Sequence, residues 1–298
     1  MSDVFSRFAP FIQDYIYRCK WEELREIQVL AAKAIFDTDE NLLLSSGTAS
    51  GKTEAAFLPV LTQLWENPSA SVGVLYLSPL KALINDQFER LEGLLEEAAI
   101  PVTKWHGDAS AAAKKRVMKR PQGVIQTTPE SLESMLMHNS SGAYRLFSDL
   151  RFIIIDEMHY FMDNDRGLQL LCLLERLARL IGYHPRRIGL SATLGDCTSA
   201  VQWLNTDSGR DCIVPKCHEK GRSLRLSVRF FPIKEKIPNS DSKVLLQNYY
   251  DYLFESTWNK RCILFSNSKG EVEENIAHLR RICLLYTSPS PRDMRRSR

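Results

Sequence analysis

The sequence predicts an α/β fold: a parallel sheet with helices on both faces, followed by the opening of a second α/β domain. Short, continuous apolar runs alternate with helical patterns, as strands buried on both sides require. Polar and glycine-containing residues cluster just after those runs, where ligands bind in such sheets. Near residue 205 the pattern changes, which marks the end of the first domain.

An amphipathic helix is expected over residues 24–36, with Leu24, Ile27, Leu30, Ala31, Ala34 and Ile35 at helical spacing. Strands are expected at 42–44, 72–77, 124–125, 152–155 and 188–190, with helices at 52–65, 81–97, 130–138 and 166–181. Beyond the polar stretch 205–210, residues 224–230 alternate apolar and polar as a half-exposed strand does. After Pro232 and Pro238 come an expected helix (242–258), a strand (262–265) and a helix (269–282). The predicted domains are 1–207, a connecting β segment at 208–240, and the start of a second domain at 241–285. One strand and two helices do not close a core, so that second domain is expected to be incomplete. The tail 286–298 (YTSPSPRDMRRSR) has no periodicity, and its composition resembles a foreign read-through joined after Leu285.

Composition sets few limits. At 298 residues, 44% hydrophobic and 25% charged, the chain is long enough to bury real cores. No amino-terminal apolar run resembles a signal peptide, and no stretch approaches the roughly 18 apolar residues that cross a membrane. A cytoplasmic setting without a membrane partner is expected. The seven cysteines (19, 172, 197, 212, 217, 262 and 283) are scattered and lack zinc-ribbon spacing, so reduced structural thiols are expected. The net charge of +3 equals that of residues 289–298 alone, where four arginines face Asp293. A nucleic-acid partner would therefore be held by local groups rather than by a global excess.

Three motifs carry chemistry. Ser46-Gly47-Thr48-Ala49-Ser50-Gly51-Lys52-Thr53 follows one expected strand and opens a helix. Backbone N–H groups and a helix N-terminus then face phosphates, Lys52 supplies a point charge, and the Thr53 hydroxyl suits Mg²⁺. The strand 152–155 ends in Asp156 and Glu157: the first can hold Mg²⁺ through water, the second can orient or deprotonate an attacking water. Ser191-Ala192-Thr193 ends another strand, and its hydroxyls can couple the carboxylates to a neighbouring domain.

In order along the chain, Gln28, SGTASGKT, SPLKALINDQ (78–87), TTPESL (127–132), DEMH (156–159) and SAT (191–193) resemble superfamily 2 DExH helicases. The flanking stretches EAAFLP (54–59), WHGD (105–108), Arg166-Gly167 and LERL (174–177) are similar to Lhr-type, large helicase-related proteins. The resemblance implies a RecA-like first domain, ATP with Mg²⁺, and a single-stranded DNA or RNA or partial-duplex partner for a monomeric chain. It implies that Gln28 reads the adenine edge and that His159 senses the terminal phosphate and speaks to Ser191 and Thr193. Pro79, Lys81, Thr128 and Glu130 would contact the sugar-phosphate backbone of one strand. Trp105 has two readings, stacking on a base or core packing. A second RecA-like domain of the family carries arginine fingers in a late motif, which no residue after Ile282 matches; low activity of this chain is therefore expected. The expected function is an ATP-dependent helicase or translocase motor. Its rivals are a DEAD-box-like RNA remodeller and a non-catalytic nucleotide-dependent binding module.

Overall fold

The structure is a computed structural model that describes residues 3–47, 50–80, 93–96, 98–107, 109–192, 194–217, 226–231 and 242–286. The chain divides into two compact units, Met1–Lys220 and Gly221–Arg298.

The first unit is built on a seven-stranded sheet. Its strands are β1 (Asn41–Ser45), β2 (Val72–Leu77), β3 (Val102–Trp105), β4 (Gly123–Thr127), β5 (Phe152–Ile155), β6 (Arg186–Ser191) and β7 (Cys212–Ile213). They lie in the order β3-β4-β2-β5-β6-β1-β7, and every pairing is parallel. The helices are α1 (Pro10–Arg18), α2 (Glu26–Asp37), α3 (Lys52–Glu66), α4 (Ala111–Lys119), α5 (Pro129–His138), α6 (Ser140–Phe147), α7 (Asp165–Ile181) and α8 (Thr198–Asn205). Alternate strand residues go to opposite faces. Leu42, Leu44, Val74, Tyr76 and Ile154 join the core under α1 to α3, whereas Leu43, Leu75, Leu77, Ile153 and Ile155 join the core under α5 to α8. This two-sided burial is why the strands read as continuous apolar runs. The expected helix at 81–97 lies outside the described residues except at 93–96, where Leu94 and Leu95 are buried in the first of those cores.

β6 begins two residues before the expected run, on a pair of buried arginines. Arg186 donates from Nε to Glu40 O, from Nη1 to Ile35 O and Thr38 O, and from Nη2 to Ala34 O and the Thr38 hydroxyl. All its N–H groups are used on carbonyls at and just beyond the end of α2, where Thr38 N also reaches Ala34 O and Gln63 Nε2 also reaches Ile35 O. Burial lowers its pKa to about 10, which still leaves it charged at neutral pH. Arg187, on the opposite face, donates from Nη1 to Leu204 O and Thr206 O at the end of α8. Asn41 ties β1 to β6 and to the end of α8: its Oδ1 accepts from Arg187 N, and its Nδ2 donates to Asn205 Oδ1 and Ser208 Oγ.

The second unit contains α9 (Ser242–Thr257) and α10 (Lys269–Tyr286), close to the helices expected there. Tyr250, Leu253 and Ile282 form its small core, and Tyr250 stacks on His278 with ring centroids 3.9 Å apart. Residues 226–230 and 262–265 were expected as strands, and the structure corrects this: neither segment is in a strand. Leu226, Val228, Phe230, Ile263 and Phe265 are all more than 80% exposed. Apolar alternation makes a strand only when a neighbour takes its backbone N–H and C=O groups. Among the described residues no strand pairs with either segment.

Arg186→Met keeps the apolar stem and removes the guanidinium donors from the α2 terminus, leaving Gln63 Nε2 on Ile35 O and Thr38 on Ala34 O. It should cost about 2–3 kcal/mol of stability, chiefly because Thr38 O and Glu40 O lose the Arg186 donors. Equilibrium urea unfolding measures this; a loss below about 1 kcal/mol would mean that those carbonyls are satisfied in another way.

Candidate nucleotide and nucleic-acid site

The parallel sheet brings the separated motifs to one edge. At the C-terminal tips, Trp105 registers with Thr127, Thr127 with Leu77, Leu77 with Ile155, and Ser45 with Ser191. The phosphate loop, the Asp-Glu pair and the Ser-Ala-Thr turn therefore follow β1, β5 and β6, which are direct neighbours.

The loop after β1 is tightly folded on itself. Lys52 Nζ donates to Ser46 O at 2.7 Å and to Gly47 O at 2.9 Å, and the Ser46 and Ser50 hydroxyls lie 2.6 Å apart. Gly51 caps α3 at φ +86°, a left-handed conformation natural to glycine. A Cβ there would lie 2.9 Å from Gln28 Nε2 and 3.5 Å from the Arg25 side chain. Gln28 is buried against the loop, with its Oε1 accepting from Arg25 N at 2.9 Å. Thr53 stands in the first turn of α3; Thr48 and Ala49 lie outside the described residues.

Asp156 is buried at the tip of β5. The Tyr76 hydroxyl donates to its Oδ2, and Glu157 N donates to its Oδ1 at 2.9 Å. Burial pushes the Asp156 carboxyl above its ordinary range, and the neighbouring Glu157 charge adds to this; the Tyr76 hydroxyl and the Lys52 charge pull the other way. The phosphate-loop cation thus acts on the strand-tip carboxylate. Glu157 has φ +46°, a left-handed conformation that costs a non-glycine residue on the order of 1–2 kcal/mol. It opens the 3-10 turn Met158–Tyr160. His159 Nδ1 sits 3.4 Å from Glu157 Oε2, 3.4 Å from Ser191 Oγ and 3.4 Å from Ala192 N. The expected contact between His159 and Ser191 is present; Thr193 lies outside the described residues. Ser45 Oγ ties β1 to the same turn, donating to Ala192 O and accepting from Leu194 N.

The residues expected to contact a nucleic-acid strand gather around Arg166. Arg166 Nε donates to Glu130 Oε1 and its Nη2 to Pro79 O, both at 2.7 Å. The next residue, Gly167, packs against Phe161, where a Cβ would lie 1.6 Å from Phe161 O; Asn164 Oδ1 caps the same turn through Gly167 N. Thr128 is buried at the cap of α5, its hydroxyl donating to Ser131 Oγ. Lys81 lies outside the described residues. Trp105 is partly buried beneath Lys114, whose Nζ lies 5.7 Å from the ring centroid. The sequence reading missed Tyr76, Arg25 and Ser45. Arg166 enters the sequence reading only through the family resemblance.

The fold is a parallel α/β sheet with a glycine-containing loop, a carboxylate pair and a Ser-Ala-Thr turn at the C-terminal tips of neighbouring strands. The sequence pattern of the DEAD/DEAH box helicase family matches residues 25–200, and the chain belongs to that family. It is similar to the ATP-dependent helicase Lhr-Core of Methanocaldococcus jannaschii, 31% identical over 285 residues, covering 89% of this chain and 33% of that protein. Lhr-Core of Methanothermobacter thermautotrophicus is 28% identical, with 93% and 34% covered. The structure of Mycobacterium smegmatis helicase Lhr bound to ssDNA and AMP-PNP matches with a TM-score of 0.72 and 28% identity, covering 94% of this chain and 36% of that one. The chain thus spans about a third of the length of the curated relatives it matches. The RecA-like, α/β fold and the Lhr-like character expected from the motifs agree with these relatives. Among the described residues no helix is long and apolar enough to cross a membrane.

One electrostatic consequence is measurable. Burial would raise the Glu130 carboxyl, but hydrogen bonds from Arg166, its own backbone N–H and Thr128, with the Arg166 charge, hold it below the ordinary range of a glutamate. A carboxyl depressed in the folded state stabilises the fold above its unfolded pKa and loses that contribution as pH falls through the folded value. Glu130→Gln should therefore be less stable than wild type above pH 4.5, with the difference closing below it. Because the pair is half exposed, the gap should be no more than about 1 kcal/mol. Paired denaturation curves from acid to neutral pH measure it, and a constant gap would show that the Arg166 contact does not hold the charge.

Proposed function

We propose that this chain carries the motor part of an ATP-dependent helicase or translocase, binding Mg²⁺-ATP at the tips of β1 and β5 and acting on a nucleic-acid strand. The observation that carries the reading is the convergence of the Lys52 loop, the Asp156-Glu157 pair and the His159–Ser191 contact on one sheet edge. The donor set fits the group: the Thr53 hydroxyl and Asp156 carboxylate are hard oxygen ligands suited to Mg²⁺. Held there, Mg²⁺ would supply charge neutralisation for the phosphates.

The protein's own groups do the rest. Backbone N–H groups of residues 47–53, including Gly47, Thr48, Ala49, Ser50 and Gly51, surround the phosphates, and Lys52 exchanges its loop carbonyls for phosphate oxygens. Gln28, seated on Gly51, lies where the base end of a nucleotide would enter. Glu157 orients the attacking water, and its left-handed backbone fixes the carboxylate beyond the strand end. His159 links that carboxylate to Ser191 and, with Thr193, passes the state of the terminal phosphate to β6. Pro79, Lys81, Thr128 and Glu130 hold the strand; the Lhr structure with ssDNA and AMP-PNP supports a single-stranded partner. The further proposals are a monomeric chain in the cytoplasm and the opening of a second RecA-like domain at 241–285.

Lys52→Ala should weaken Mg²⁺-ATP binding by about 1.5–3 kcal/mol, the worth of a hydrogen-bonded charge contact. Titration calorimetry finding equal affinity in wild type and variant would sink the nucleotide assignment. Glu157→Gln should retain binding and abolish turnover, measured as phosphate release with and without single-stranded DNA or RNA; undiminished release would place the water-orienting group elsewhere.

A further inference from the structure

We infer that the exposed face of α4, joined by Arg145 of α6, is a second nucleic-acid surface that takes the phosphate backbone of a duplex beyond the strand gripped at Thr128 and Glu130. This rests on the helicase reading above and adds to it.

Residues 109–129 and 134–148 contain no Asp or Glu, while the first of these segments holds Lys114, Lys115, Arg116, Lys119 and Arg120 and the second holds Arg145. The fold brings the two segments together: α4 packs on α6, and Arg145 Nη2 donates to Met118 O at 3.3 Å. Lys114 turns inward, donating to His106 O at 2.6 Å and covering the Trp105 ring. Lys115, Arg116, Lys119, Arg120 and Arg145 are exposed, with the half-exposed ring of Tyr144 beside Arg145.

A solvated helix face does not need this arrangement. Cations in the last turn, such as Arg116 and Lys119, do favour the helix dipole. Lys115 with Lys119, and Arg116 with Arg120, are like-charge neighbours at i,i+4, which destabilise a helix. No described acid on either segment relieves them, so the charge is arranged for an anion supplied from outside.

Position identifies the anion. α4 packs on the edge strand β3, whose last residue, Trp105, registers with Thr127 and accepts its hydroxyl at 2.6 Å. The basic face is therefore continuous with the sheet edge where Thr128 and Glu130 lie. Its nine residues extend about 13 Å, long enough for several phosphates of a duplex that carries one charge per about 1.7 Å of axis.

The test uses the full chain and the variant Lys115→Gln/Arg116→Gln/Lys119→Gln/Arg120→Gln, whose positions are exposed and whose fold is checked by Mg²⁺-ATP affinity. Fluorescence anisotropy compares a duplex bearing a single-stranded overhang with a single-stranded hexamer, each in DNA and RNA form, across a salt series. The variant should lose on the order of tenfold or more in duplex affinity, and its salt slope should shrink by about 2–3, as expected for about three lost phosphate contacts. Hexamer binding should not change. Unchanged duplex affinity and slope would overturn the proposal, as would an equal loss on the hexamer, which would put these cations in the strand path itself. Loss of binding to phosphatidylserine vesicles with unchanged duplex binding would assign the face to a membrane surface instead. A wild-type chain that binds neither oligonucleotide would overturn the helicase reading first, and this surface with it.

Discussion

Burial of every central strand on both faces is the constraint on which the first unit depends. Such a strand has no room for polar side chains along its length, so they concentrate at its ends. The two ends are then used differently. At the start of β6, Arg186 and Arg187 point to opposite faces, and each satisfies the carbonyls at the end of one covering helix. That end locks the helical layers to the sheet. The opposite end is free for chemistry, and the phosphate loop, Asp156, Glu157 and Ser191 all lie there.

Within the site the side chains form a connected series. The Tyr76 hydroxyl holds Asp156, the Asp156 carboxylate accepts from Glu157 N, and Glu157 meets His159, which reaches Ser191 and Ala192. The His159 contacts compete, because an Nδ1 that accepts from Ala192 N cannot at once donate to Glu157. A group with two exclusive partners can report a change at either one. Arg166 has a comparable place across the strand-contact residues, since one guanidinium spans Pro79 and Glu130. Neither series is sequential in the chain; each depends on the strand order.

The chain's motifs were legible because their spacing is local: strand, loop and helix follow one another within a dozen residues, and a phosphate loop needs that continuity. The strands β1, β2 and β5 were legible because two-sided burial leaves no polar interruption. β3 was not, since Val102–Trp105 is a four-residue edge strand with polar residues inside it. β6 was read two residues short, because arginine is rarely buried and the helix ends that accept these two are distant in sequence. Tyr76 was hidden as one more apolar residue of β2 until the pairing of Tyr76 with Ile154 put its hydroxyl beside Asp156. In the second unit, alternation at 226–230 suggested a strand, but alternation states only which face would be buried; a strand also needs a neighbour.

Net charge is a poor guide here for a related reason. Outside residues 289–298 the charges sum to zero, which by itself argues neither for nor against a polyanionic partner. Yet screening in physiological salt limits each charge to about 8 Å. Over such distances only local composition counts, and the fold sorts it: carboxylates gather at the tip of β5, while α4 and Arg145 form an acid-free face on the β3 edge. Cancellation across the whole molecule therefore says nothing about the field at either place. The sheet order separates the two, with β4 and β2 lying between β3 and β5. The paired carboxylates and the acid-free basic face therefore set their local potentials separately, because the topology places two strands between them.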